Sequence, residues 1–134
     1  MKGAIAGLAV SCVLISTLLA GSSVTRIRIV ANDSGNRECQ AVVVAFADAV
    51  KRNAPFARLV HHSSEAADVE LRLLTVTHEG RSDYAKFQVR QGQATLPLQL
   101  NFERTSRDRF LREFVRKSLA AVIADVAAKD AGTQ

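Results

Sequence analysis

Between Val69 and Phe102 the chain alternates apolar and polar residues three times, and no other feature limits the possible folds as much. Val69, Leu71 and Leu73 alternate with Glu70 and Arg72. Ala85, Phe87 and Val89 alternate with Lys86, Gln88 and Arg90. Ala94, Leu96, Leu98, Leu100 and Phe102 form a third set. A period of two puts successive side chains on opposite faces of a strand. Three such strands make a sheet with one apolar face, and that face must be covered. Glu79-Gly80-Arg81-Ser82-Asp83 reads as a turn and Gln91-Gly92-Gln93 as a tight hairpin. Pro97 falls on the polar side of its strand; with no N–H to donate, it predicts a sheet edge or a bulge.

Two segments with a helical period can supply the cover. From Arg37 to Asn53 the apolar residues Cys39, Val42, Val43, Phe46 and Val50 recur every 3.6 positions. The turn cluster Asn32 to Asn36 offers N-cap side chains, and Pro55 ends the helix. Near the C-terminus, Phe110, Leu111, Phe114, Val115, Leu119, Val122, Ile123 and Val126 trace one wide stripe, with Thr105 and Asp108 as a capping-box-like start. Two further strands are expected. One is Thr25 to Val30, where Ile27 and Ile29 oppose Arg26 and Arg28; the other is short, within Phe56 to His62. The order β-α-β-β-β-β-α predicts an α+β two-layer sandwich, a largely antiparallel sheet with two helices on one face. It occupies a single domain over residues 23–128, followed by a flexible polar tail at 129–134.

The first residues follow a different rule. Lys2 precedes an uncharged stretch from Ala4 to Ala20, and small residues follow at Gly21, Ser22 and Ser23. That is the order of a secretory signal, expected over residues 1–22 with cleavage after Ala20 or Ser22. A retained membrane anchor and lipidation at Cys12 are the alternatives. Removal after Ser22 leaves 112 residues with a formal charge of +4 and Cys39 as the one cysteine, expected buried on the apolar face of its helix. Across the whole chain, 48% apolar and 23% charged residues exclude a disordered or collagen-like protein. Two cysteines exclude a disulfide framework and a zinc site made of thiolates alone.

Chemistry-bearing residues are few. His61, His62 and Glu65 lie close in sequence, but adjacent histidines on a strand point to opposite faces, so they do not easily share a metal. No phosphate-loop, dinucleotide or calcium-loop spacing occurs. The clearest functional signal is charge. Arg104, Arg107, Arg109, Arg112, Arg116 and Lys117 crowd the start of the last helix, with Glu103, Asp108 and Glu113 interleaved. Asp108–Arg112 and Glu113–Lys117 are spaced for i,i+4 pairs worth about 0.2–0.5 kcal/mol each. Arg107, Arg109, Arg112 and Arg116, joined by Arg26 and Arg28, are the candidate binding residues for an anionic surface or partner. No aromatic stacking platform accompanies them, so nucleic acid is not expected as a partner.

Phe46-Ala47-Asp48, the strand after it, the segment from Ser64 to Thr77 leading into a hairpin, and the closing helix from Asp108 resemble the layout of the periplasmic curli-secretion accessory family. The likeness spans roughly Cys39 to Val126 and rests on element order. It implies a small periplasmic protein that assists an outer-membrane channel in exporting amyloid subunits. The residues themselves predict an exported, periplasmic or secreted, non-enzymatic accessory or adaptor protein of envelope assembly or secretion. Its expected partner is an envelope protein, with anionic lipid or polysaccharide as a further contact, and no cofactor. The alternatives are an exported metal-binding protein or enzyme using His61, His62 and Glu65, and a membrane-anchored structural subunit.

Overall fold

A computed structural model of the chain describes residues 24–132. The expected signal or anchor over residues 1–22, with Cys12, lies outside the described residues. Five strands form one sheet: β1 (Thr25–Ala31), β2 (Ala57–Leu59), β3 (Val69–Glu79), β4 (Ser82–Gln91) and β5 (Ala94–Glu103). The helices are α1 (Arg37–Asn53), α2 (Arg107–Lys117) and α3 (Leu119–Gly132), with a 3-10 turn at Arg104–Ser106. The strand order is β2-β1-β3-β4-β5. The protein is α+β, with the helices layered on the apolar face of the sheet. Antiparallel pairing runs through the long β3-β4-β5 meander, whereas β1 is parallel to both of its neighbours.

The parallel pairs follow from the length of β2. Its last residue, Leu59, lies level with Ile27 of β1, and so does Val69, the first residue of β3 on the other side. Residues 60–68 therefore have only to step across one strand. The β1 backbone guides that step: Ile27 O accepts from Val60 N at 2.9 Å and Arg26 O accepts from Asp68 N at 2.8 Å.

α1 forms where its period predicts. Asn36 caps it by accepting from Cys39 N at 3.0 Å, and the chain leaves it at Ala54, just before Pro55. Its inner face buries Cys39, Val42, Val43, Phe46, Ala49 and Val50. Phe46 is fully buried and meets Phe87 of β4 and Phe114 of α2 edge-on, at centroid distances of 5.4 and 6.0 Å. Such pairs add about 0.5–1.5 kcal/mol each beyond area burial. One ring thus ties α1 to the sheet and to α2.

The closing helix is two helices rather than one. The chain breaks at Ser118, whose N–H reaches Phe114 O at 2.8 Å while its own O receives Val122 N at 3.1 Å. The break lets the stripe follow two neighbours in turn: α2 packs on α1, and α3 packs on β4 and β5. The expected capping box is not made. Residues 104–106 form the 3-10 turn, Ser106 has no side-chain cap bond, and Asp108 pairs with Arg107 instead of Arg112. α3 also runs to Gly132, past the boundary expected at 128. Lys129 donates to Thr95 O at 2.8 Å, and Asp130 accepts from Gln93 N at 3.0 Å, so the last turn is fastened to the β4–β5 hairpin. Gly92 in that hairpin has φ +57°, and a Cβ there would stand 2.6 Å from the Asp130 carboxylate. β5 is the sheet edge that Pro97 requires.

Phe46→Ala should cost about 3–5 kcal/mol, from lost transfer energy and a cavity bordered by two other rings. Urea denaturation of the variant measures it, and an unchanged midpoint would show that Phe46 does not bind the layers together.

Candidate functional site

The candidate arginines do not form one patch. Arg26 and Arg28 sit on the face of the sheet opposite the helices, because Ile27 between them is wholly buried beneath α1. Both are engaged within the fold. Arg26 donates from its backbone N–H (2.8 Å) and its guanidinium (3.1 Å) to Asp68. The guanidinium first, and the backbone N–H with it, hold the Asp68 carboxyl below the usual carboxylate range. Arg28 donates to the carbonyls of His62 and Glu65, pinning the crossover of residues 60–68. These two arginines shape the β2–β3 connection.

Arg107 and Arg112 stand on the helical side and line an open groove between α1 and α2, about 620 Å³ in volume. Ala41, Val44, Ala45 and Ala49 of α1 supply its apolar lining, and four arginines line it as well, Arg37 and Arg52 from α1 and Arg107 and Arg112 from α2. Val44 is 64% exposed, the most exposed of the large apolar side chains described. Two carboxylates also line the groove, and each has a partner: Asp48 with Arg52 at 2.9 Å and Asp108 with Arg107 at 3.2 Å. Arg37 and Arg112 make no salt bridge among the described residues. The groove therefore combines an apolar floor with a net positive rim. Arg109 does not line this groove; it lines a second open pocket around the 3-10 turn, which adjoins the groove at Arg107 and Asp108. Arg116 is held by Glu113 at 3.0 Å, and Lys117 is held by the same carboxylate. In the α1 half of this site the sequence shows Val44 breaking the polar face of an otherwise amphipathic helix, near Ala41 and Ala45, but that break marks a site only once α2 lies beside it.

A second cluster lies at the far end of β3. A bulge between Leu73 and Thr75 shifts the strand by one residue, so Val76 and His78 turn to the side that Leu71 and Leu73 occupy before it. His78 then pairs with Asp83 across the hairpin at 2.5 Å, and its other ring nitrogen meets Glu38 in the first turn of α1. Arg104 closes the group at 3.0 Å from Asp83. Asp83 is only 4% exposed. Burial alone would push its carboxyl up; hydrogen bonds from Arg104 and His78 outweigh that and hold it below the usual range. Both imidazole nitrogens are occupied, so the cluster joins helix to hairpin and leaves no lone pair for a substrate.

His61 and His62 are exposed, and Glu65 is turned to the backbone N–H of His62 and to Arg58. Among the described residues, no three histidine, cysteine, aspartate or glutamate side chains are grouped to hold a metal. Cys39 is buried and free; burial pushes its thiol up, away from the reactive thiolate. No helix of the described residues is long and apolar enough to cross a membrane.

No protein-family model matches the chain, and no curated protein does. Among solved structures, the N-terminal domain of Protein Y from Thermus thermophilus is similar at a TM-score of 0.32 and 10% identity, covering 67% of this chain and 93% of that one. A minor lipoprotein from Acinetobacter baumannii is similar at 0.34 and 11% identity, covering 78% and 92%. At scores this low, neither likeness speaks to function.

The Asp83 cluster predicts an acid limb. The carboxyl titrates lower folded than unfolded, so its stabilisation is complete above the unfolded value and is lost as pH falls through the folded one. Asp83→Asn should lower stability at neutral pH by about 1–3 kcal/mol. It should also flatten the decline of stability below the ordinary carboxylate range. Denaturation curves taken across acidic pH test this; parallel profiles for the two proteins would contradict it.

Proposed function

We propose that this protein is an exported, non-enzymatic adaptor of the bacterial cell envelope, and that its α1/α2 groove is where a partner protein docks. The observation that carries the reading is the pairing of an exposed apolar floor at Val44 with a rim of four arginines. A large apolar side chain left in water gains by being covered, at about 25 cal/mol per Å² removed from solvent. Arginine at a groove rim suits protein recognition, since its planar fork pairs with carboxylates and its stem packs on apolar surface. The groove holds no paired nucleophile and base, which favours binding over chemistry. Export rests on the sequence from Lys2 to Ser23, with its basic start, uncharged middle and small-residue end.

Two measurements test the proposal in a bacterium that exports the chain. Intact mass of the recovered protein should begin after Ala20 or Ser22; full-length chain in the cytosol would contradict export. A photo-crosslinking residue at position 44 should yield a discrete adduct with an envelope protein, while the same residue at Arg109 yields none. Equal labelling at both positions, or none at either, would contradict docking in the groove.

A further inference from the structure

We infer that the occupant of the α1/α2 groove is an acidic amphipathic helix of the partner, laid along α1 as a third helix; this rests on the docking role proposed above. Three observations on the groove carry it.

The first is its shape. The lining residues of α1 run Arg37, Ala41, Val44, Asp48 and Arg52, one face of the helix from its first turn to its last. At 1.5 Å per residue that stripe is about 22 Å long, which matches a partner helix of about 15 residues. Alanine at 41 and 45 keeps the stripe low on either side of Val44, so a second helix axis can approach to the usual 8–10 Å.

The second is backbone chemistry. Both walls of the groove are helices, whose backbone N–H and C=O groups are already joined within each helix. An extended segment lying there would lose water from its own backbone and find no ladder to replace it. A helix brings its backbone bonds with it and asks only for side-chain contacts.

The third is charge. Four arginines and two aspartates line the groove, and both aspartates are taken by Arg52 and Arg107. Arg37 and Arg112, without a salt bridge among the described residues, stand at the rim for carboxylates brought by the partner. The partner helix thus carries an apolar ridge over Ala41, Val44 and Ala45, with glutamate or aspartate flanking it. A basic helix would meet an unneutralised rim and be rejected.

The test uses the exported form of the chain and synthetic peptides of about 15 residues. One is helical, with a leucine ridge and flanking glutamates; the second replaces each glutamate by lysine; the third keeps the acidic composition but is interrupted by proline. Fluorescence anisotropy should show binding of the first alone, weakening with added salt. Arg37→Gln with Arg112→Gln should weaken it roughly tenfold, while Arg109→Gln leaves it unchanged. All three positions are solvent-exposed and leave the core intact. Val44→Asp gives a second readout and should abolish binding. Equal binding of the lysine peptide or of the proline peptide would overturn the inference, as would no binding of the first peptide even at about millimolar concentration. If the position-44 adduct still forms in cells after that failure, the docking site stands and the acidic helix falls.

Discussion

Phe46 is the contact on which the rest of the molecule is arranged. Its ring enters the core from α1 and touches Phe87 of the sheet and Phe114 of α2, so three elements that are distant in sequence are held in one place. With the inner face of α1 committed to the sheet and α2 drawn alongside it, the outer face of α1 becomes the floor of a groove. Arg107 and Arg112 of α2 then line the same groove as Arg37 and Arg52 of α1. The site is a consequence of how the core is packed.

The meander and α1 were legible because each obeys a single period. Alternation in β4 and β5, and the 3.6 spacing from Cys39 to Val50, need no tertiary information. The parallel placement of β1 was not legible. It depends on the three-residue length of β2 and on Arg26 and Arg28 gripping Asp68 and the crossover carbonyls, contacts between residues more than thirty positions apart. The break at Ser118 was hidden for a related reason. An apolar stripe reports that a face is buried, not whether its two halves lie against the same neighbour.

The bulge at Leu74 shows how one extra residue rewrites a site. Alternation in β3 is clear up to Leu73 and then slips, and His78 is turned to meet a buried aspartate. Two histidines adjacent in sequence, His61 and His62, draw attention as ligands and remain in solvent. The histidine that makes a network was marked only by the sequence Leu73-Leu74, where two neighbouring apolar residues interrupt the alternation. Half of the groove was visible in the charge of α2. The other half, Val44 between two alanines, gains meaning only when α2 is placed beside it.

We propose that the outer face of α1 is covered in the envelope and bare in the isolated protein. The most direct measurement is the rate at which a maleimide labels Val44→Cys; Cys39 does not interfere, because it is buried. If a partner docks there, the purified protein labels rapidly and the same position is strongly protected in intact envelopes. Equal rates in the two settings would show that nothing docks on the groove.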